Sequence, residues 1–345
     1  MSGGAAVGML CGVQRLSNLP ARVRGLCLFS GGLDSQLAVL VLREQGIDVT
    51  GVVFDSPFFD APTAVAAARA IDLPLRVENF TRDIVALLDR PPHGFGKRLN
   101  PCVDCHARML ERAGQLMEVE GFDFLATGEV LNERPFSQTR GSLDVVAAGS
   151  GFGDHIVRPL SARLLPATAP ERAGKVDRAR LLDIQGRTLR RQLELAAHFG
   201  LQGFPPPAGG CRLTEPNYCR RLQDLRDHEG IDGEHCLELL RFGRHFRLSG
   251  QVKVVVGRHE QDNAEIEQRA ELTDLLVKAA DCPGPTGLLP NVASETLVEQ
   301  AAGICARYAG CPPGVPTRLI IRSSRGVREV ITCPLPDDDC RALLV

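Results

Sequence analysis

Three cysteines and one small-residue loop carry the chemistry that can be read from this chain. The stretch Leu26 to Gly46, LCLFSGGLDSQLAVLVLREQG, sets two glycines between serines just where an apolar run gives way to a helical one. Small residues let main-chain N–H groups approach an anion, and the helix that follows points its positive end at the same spot. The loop at Ser30 to Ser35, SGGLDS, is therefore read as a phosphate cradle. It lacks the lysine of the common nucleotide P-loop and the third glycine of the dinucleotide fingerprint. NPCVDCHARM places Cys102 and Cys105 at C-x-x-C spacing next to a predicted helix, whose positive end favours a thiolate, and PAGGCRLTEP places Cys211 on a glycine-flanked turn. Buried structural thiols, a zinc site and sulfur transfer all remain open for these cysteines. Zinc normally wants four ligands, and the next cysteine, Cys219, falls on a predicted helix.

The elements that must position these residues follow from periodicity. Apolar runs at LCLFS, DVTGVVF, PLRVENF, FDFLATG and HIVRPL alternate with helical patterns at Asp34 to Gln45, AVAAARA, Ile84 to Leu88 and Arg108 to Val119. This alternation predicts a doubly wound parallel α/β sheet, Rossmann-like, whose ligands lie beyond the carboxyl ends of the strands. Helical patterns continue over Asp177 to Phe199, Pro216 to Asp227 and Gly233 to Phe242, broken by GFPPPAGGC. A second, smaller α/β unit begins near Phe246. Its predicted elements are a strand at QVKVVVG, helices over Asn263 to Glu271 and Glu295 to Tyr308, and a hairpin of TRLIIRS with VREVITC; the tail from Pro334 shows little pattern. The expected division is a flexible N-terminus over 1–20, a first domain over 21–230 and a second over 231–345.

With 345 residues, 44% of them hydrophobic, two cores are feasible. No apolar run reaches the roughly 20 residues of a membrane span and the start lacks a signal-peptide pattern, so a cytoplasmic location is expected. That reducing setting disfavours disulfides for the twelve cysteines. A net charge of −2 provides no global attraction for polyanions, which leaves local patches: Arg158 to Arg191, and Arg241, Arg244 and Arg247. Solvated, salt-bridged helix faces are the alternative reading of both patches.

A strand, SGGxDS and a helix resemble the PP-loop of the N-type ATP pyrophosphatases, which split ATP between its α and β phosphates. The resemblance implies that Ser30, Gly31, Gly32 and Ser35 hold the departing pyrophosphate and that Asp34 lies close to Mg²⁺. Phe54 and Gly128, at the ends of converging strands, complete the expected nucleotide site. NPCVDC is similar to the NPCxxC motif of bacterial tRNA 2-thiouridylases. ATGEVLNERPFSQT at Ala126 to Thr139, with the following HIVRPLSA, resembles the TGExLxQxxSQT and RPL segments of tRNA 4-thiouridine synthetases. By this likeness Cys102 and Cys211 match two facing cysteines, one able to carry a persulfide and the other to attack it. In related enzymes a C-x-x-C pair plus a remote cysteine holds a 4Fe-4S cluster. Cys102, Cys105 and Cys211 suit that version, because a purely persulfide route needs no Cys105. Ser137 and Gln138 are expected to orient the base, with a helix N-cap by Ser137 as the alternative, and Arg158 is a further substrate contact. No THUMP-like or rhodanese-like segment is evident around the PP-loop unit.

VVVGRHEQDNAEIE and PGPTGLL resemble the RNA-linked C-terminal module of the NFACT proteins. Arg258 and Asn263 could contact phosphate or ribose there; alternatively Arg258 closes a turn with Glu260. The implied activity is an ATP-dependent tRNA sulfurtransferase. It adenylates a uridine carbonyl and replaces the oxygen with sulfur supplied by a cysteine desulfurase or free sulfide. The rivals are an amidating PP-loop enzyme and a noncatalytic ATP-binding RNA factor.

Overall fold

A computed structural model describes residues 22–205, 210–290, 293–311 and 314–345, so the expected flexible segment 1–20 lies outside the described residues. The first unit runs β1 (Arg24–Leu28), α1 (Leu33–Glu44), β2 (Asp48–Asp55), α2 (Pro62–Ala70), β3 (Leu75–Asn79), α3 (Thr81–Asp89), α4 (Cys102–Glu120), β4 (Phe124–Thr127), α5 (Arg140–Ser150) and β5 (Ile156–Val157). Its helices continue as α6 (Ala169–Arg172), α7 (Arg190–His198), α8 (Pro216–His228) and α9 (Glu234–Leu239). All five strands are parallel, in the order β3-β2-β1-β4-β5. The strand order reverses between β1 and β4, which makes the gap beyond their carboxyl ends the place for a ligand.

Strand chemistry explains the layering. β2 reads DVTGVVFD and is buried on both faces along its centre, as a parallel sheet covered on each side requires. One face buries Phe29, Val49 and Val53 against Leu37 and Val41 of α1, Ala64 and Ala68 of α2 and Ala196 of α7. The other buries Leu26, Val52 and Leu125 against Ile84 of α3, Leu110 and Met117 of α4, Val146 of α5 and Leu222 of α8.

The second unit comprises β6 (Arg244–Ser249), β7 (Val252–Val256), α10 (Glu260–Gln268), β8 (Asp274–Ala279), β9 (Thr286–Pro290), α11 (Glu295–Arg307), β10 (Thr317–Ser323), β11 (Gly326–Thr332) and α12 (Asp337–Leu343). Its six-stranded sheet has the order β11-β10-β8-β9-β7-β6 with every pairing antiparallel. Val298, Ala302 and Ile304 of α11 cover one face, and Ile266 of α10 covers part of the other.

Several elements depart from expectation. α4 begins at Cys102 itself, six residues ahead of the predicted start, because the polar CVDCHAR turn shows no apolar period. α5 was not foreseen; Thr139, not Ser137, caps it by accepting from Ser142 N at 3.1 Å. Residues 177–189 form a short 3-10 turn and extended chain rather than the first half of a helix. β6, β8 and β9 appear where no alternation was read, and the tail forms α12. Cys282 and Cys311 are paired, Cα to Cα 5.7 Å, contrary to the expectation of free thiols throughout. Among the described residues no helix is long and apolar enough to cross a membrane.

The two units meet through α8, α9 and a half-buried charge network. Leu237 and Leu240 belong to the first core while Leu239 packs with Val255 and Leu288 of the second. Arg247 of β6 donates to Asp224 at 2.6 and 3.1 Å and to Glu229 at 2.7 Å, and the buried Lys253 stands 3.5 Å from Asp224. Burial pushes the Asp224 carboxyl up, yet the hydrogen bonds from Arg247 and the charge of Lys253 hold it below its ordinary value. Removing one member of such a network strands the others. Arg247→Ala is expected to lower unfolding stability by about 3 kcal/mol in urea titration, whereas exposed Arg190→Ala shifts it by less than about 0.5 kcal/mol.

Candidate active site

The phosphate loop is shaped by two close approaches. Gly31 has φ +77°, and a Cβ there would lie 2.7 Å from Ala64 Cα and 2.8 Å from the Thr63 carbonyl. A side chain is excluded both by conformation and by the start of α2. Gly128, just after β4, has its missing Cβ 2.6 Å from Ser35 N and 2.7 Å from the Asp34 carbonyl carbon. The β4 end therefore presses directly on the first turn of α1. Ser35 Oγ donates to Gly32 O at 2.9 Å, Ser30 Oγ lies 3.4 Å from Ser35 Oγ, and Gln36 Nε2 holds Gly31 O at 2.9 Å. Gly32 caps α1 with no side-chain partner, so the first N–H groups of the helix remain available to an anion.

Asp34 sits at this helix start with Oδ1 buried and without a hydrogen-bond partner. Burial raises its carboxyl above the ordinary range, and burial together with the facing Asp34 pushes Glu133 up to about 7; the nearby Arg134 opposes both shifts. Gln192, wholly buried, stands beside Asp34 although neither amide atom reaches hydrogen-bonding geometry. Two carboxyls crowded beside a phosphate cradle, one with an orphaned oxygen, fit a hard dication. Mg²⁺ takes one or two carboxylates and completes its shell with phosphate oxygens and water.

The thiols lie at the same end of the sheet. Cys102 is the first residue of α4 and its sulfur accepts from Asn100 Nδ2 at 3.1 Å. Asn100 is itself locked, its Oδ1 accepting from Arg98 N at 3.0 Å. Cys211 starts the turn before α8. Burial drives the Cys105 thiol well up, with Cys211 and Cys102 adding to the effect, and burial drives Cys211 to about 12, with Cys102 again contributing. Each of the three thiols thus lies within electrostatic range of the others. Cys102 and Cys211 are partly exposed while Cys105 packs in the core with Val103 and Leu110.

Polar contacts around the buried Glu129 link α4, the helix that begins at Cys102, to the end of β4. His106, one turn beyond Cys102 on α4, reaches Glu129 at 3.5 Å; Arg158 Nε donates to the same carboxylate at 2.9 Å and Thr127 Oγ1 lies 3.1 Å from it. Burial alone would raise the Glu129 carboxyl, but Arg158 and His106 hold it down to about 2. Glu129 follows Gly128, which touches Ser35. The sequence reading missed His106, Glu129, Glu133 and Gln192. Glu129 and Glu133 lay within the quoted ATGEVLNERPFSQT stretch, and His106 follows Cys105, but no spacing rule marked them.

Other expectations are corrected or relocated. Among the described residues, no group of three or more His, Cys, Asp or Glu side chains is arranged to hold a metal ion. Cys102, Cys105 and Cys211, the expected 4Fe-4S ligands, are therefore not arranged as a metal-ligand set. The ring of Phe54 packs 5.1 Å from that of Phe80 in the core, leaving only its backbone to face a nucleotide. Gln138 closes its own loop, its Oε1 accepting from Arg134 N at 3.1 Å and its carbonyl from Asn132 N at 2.8 Å. Ser137 is buried, and Arg158 is buried with Nη2 unpartnered. Arg258 pairs with Asp262 at 2.6 Å, not Glu260, and Asn263 accepts from Thr286 N at 2.9 Å. Much of both basic patches is internally engaged: Arg163 and Arg191 by Asp183, Arg172 by Asp154, Lys175 by Asp123, Arg178 by Glu171, Arg241 by Asp60.

A parallel sheet with SGGLDS at its switch point gives the first unit the architecture of an α/β domain that resembles the PP-loop nucleotide-binding domains. Residues 21–163 match the family model described as thiamine biosynthesis protein (ThiI), and residues 243–341 match the NFACT protein RNA binding domain. The chain is 33% identical over 247 residues to tRNA-specific 2-thiouridylase MnmA of Geobacter metallireducens, covering 62% of this chain and 61% of the relative. It is 33% identical over 140 residues to MnmA of Herpetosiphon aurantiacus (32% of this chain, 38% of the relative). MnmA 1 of Syntrophus aciditrophicus is 30% identical over 123 residues (30% and 32%). The chain thus spans about a third of the length of the last two relatives and three fifths of the first.

Two outcomes follow. With Glu133 as a Mg²⁺ ligand, affinity for Mg·ATP should rise as pH increases through about 7 and the carboxyl ionises, and Glu133→Gln should flatten that dependence in calorimetric titrations. Gly128→Ala, which forces a Cβ into the α1 backbone, should weaken ATP binding about tenfold or more while far-UV circular dichroism is retained.

Proposed function

We propose that this chain is an ATP-dependent tRNA sulfurtransferase that replaces a uracil carbonyl oxygen with sulfur. The observation that supports the reading is the topology: a pyrophosphate cradle without a P-loop lysine follows β1, and two partly exposed thiols stand at the start of α4 and on the turn docked on the loop after β2, toward the same end of the sheet. A nucleotide site alone gives no reason for the thiols, and thiols alone give no reason for the cradle. The likeness to 2-thiouridylases over the first unit and to an RNA-binding module in the second supports RNA as substrate.

The uracil oxygen attacks the α phosphorus of ATP, the bond from that phosphorus to the β-bridging oxygen breaks, and pyrophosphate leaves onto Gly31, Gly32, Ser35 and the α1 N-terminus. Asp34 and Glu133 would hold Mg²⁺, which when bound would neutralise charge on that departing group. Preorganised N–H donors at a helix start stabilise charge as it develops. The adenylated carbon now carries a good leaving group. A persulfide on Cys211 adds through its terminal sulfur and AMP is expelled. The Cys102 thiolate then attacks the Cys211 sulfur, breaking the S–S bond, leaving the thiocarbonyl on the base and a Cys102–Cys211 disulfide. A cellular thiol reduces that disulfide, and a cysteine desulfurase supplies the next persulfide. The roles follow from environment: Cys102 opens α4 with the Asn100 amide donating to its sulfur, while burial keeps Cys211 protonated until it is sulfurated. Ser137 and the Arg158 Nη2 are the proposed contacts for the base. The setting is the cytoplasm, where tRNA and desulfurase are both present.

The second reading is an adenylating PP-loop enzyme of the amidating kind, favoured by the inertness that burial confers on Cys105 and Cys211. Alanine variants of Cys102 and Cys211 decide between them. The proposal predicts loss of tRNA thiolation by at least about 10³-fold with pyrophosphate release retained; full thiolation in either variant contradicts it. Iron analysis after anaerobic purification should give less than one iron per chain, and about four, lost in each cysteine variant, would replace persulfide with cluster chemistry.

A further inference from the structure

We propose that Asp60 is a positioning residue that sets the Cys211 thiol against Cys102 and ties it to both the nucleotide end of β2 and the RNA-binding-type unit. The inference rests on the sulfur-transfer reading only in giving Cys211 a role. Asp60 ends the short loop that leaves β2. That loop is stiff: Asp55 Oδ1 accepts from Ala61 N at 2.9 Å across its base, Ser56 N donates to Phe59 O at 2.9 Å, and Ser56 Oγ accepts from Phe58 N at 3.2 Å.

The turn bearing Cys211 is docked on this loop by three kinds of contact. Arg212 N donates to Phe58 O at 2.8 Å. The fully buried Phe58 ring meets Tyr218 edge-on at 6.2 Å, with Tyr218 Oη donating to Pro57 O at 3.3 Å. The Arg212 guanidinium reaches Asp60 Oδ2 at 3.3 Å. A second guanidinium takes the same oxygen, that of Arg241, which lies at the end of α9, just before the second unit. One carboxylate thereby joins three regions distant in sequence.

Charge makes the joint depend on that one side chain. Two guanidiniums sharing an oxygen repel each other, and both carry a buried Nε without a partner. Each has a second acid within reach on its own segment, Glu215 at 4.0 Å for Arg212 and Glu238 at 3.4 Å for Arg241. Without the Asp60 charge, each arginine retires to its local acid and the Cys211 turn loses its side-chain tether. Asp60 is 36% exposed, so this ion pair contributes little to global stability. Its effect is on geometry, and displacement of a reacting atom by about 1 Å costs up to about 10²-fold in rate.

The readout is the rate at which Cys102 and Cys211 join when the full-length protein is treated with diamide, followed by peptide mass spectrometry. Asp60→Ala should slow that bond about tenfold or more, and Asp60→Glu should restore it to within about twofold, with melting temperature and ATP affinity near wild type. Wild-type bond formation in Asp60→Ala, or no Cys102–Cys211 bond in the unaltered protein, overturns the proposal. Should Asp60→Ala lose ATP binding, Arg212→Gln, which leaves the Asp60–Arg241 pair intact, decides on the same readout. The assay needs neither RNA nor sulfur, so its failure is distinct from loss of thiolation.

Discussion

The arrangement depends on one steric constraint: the end of β4 must lie against the first turn of α1 with no side chain between them. Gly128 supplies that, its absent Cβ otherwise meeting backbone atoms of Asp34 and Ser35. Because Glu129 follows immediately, the same contact fixes a buried carboxylate held by Arg158 and His106. His106 rides on the helix that begins at Cys102. The segment around Glu129 therefore braces both the first turn of α1 and the helix that begins at Cys102. Breaking a buried pair of this kind is costly, so the brace is fixed before any ligand arrives.

Electrostatics divides the molecule into working and structural charge. The arginine-rich stretch from Arg158 to Arg191 reads as a polyanion surface in sequence but is largely paired, with Glu171 and Asp183 inside the stretch and with Asp123, Glu129 and Asp154 ahead of it. At the crevice, acids are instead left short of partners: Asp34 keeps an orphaned oxygen and Glu133 is raised to about 7. Crowded carboxyls with raised pKa values mark a place prepared for positive charge.

The first unit was largely legible because parallel strands buried on both faces announce themselves as apolar runs, and SGGLDS sits at the one junction where a phosphate loop can act. The grouping of Cys102, Cys105 and Cys211 came from family likeness rather than spacing, and among the described residues the metal-ligand set expected of them is not formed. The polar start of α4, the helix α5 and strands β6, β8 and β9 were not legible, since their burial depends on partners far along the chain. Side-chain roles were least legible. Phe54 looked like a nucleotide contact yet its ring belongs to the core. Arg258 read equally as an RNA contact or as closing a turn with Glu260, and its ion-pair partner is Asp262 instead. Asp60 carried no signal because its two arginines lie 152 and 181 residues away.

The central claim is that ATP activates a uracil carbonyl so that sulfur can take its oxygen's place. It is tested most directly by following that oxygen. A tRNA transcript labelled with ¹⁸O at the uracil carbonyls is incubated with the enzyme, ATP and a sulfur donor, and the products are weighed by mass spectrometry. The account predicts one ¹⁸O in AMP for each thiolated base and none in pyrophosphate. Label released to water, or AMP formed without it, would contradict the account.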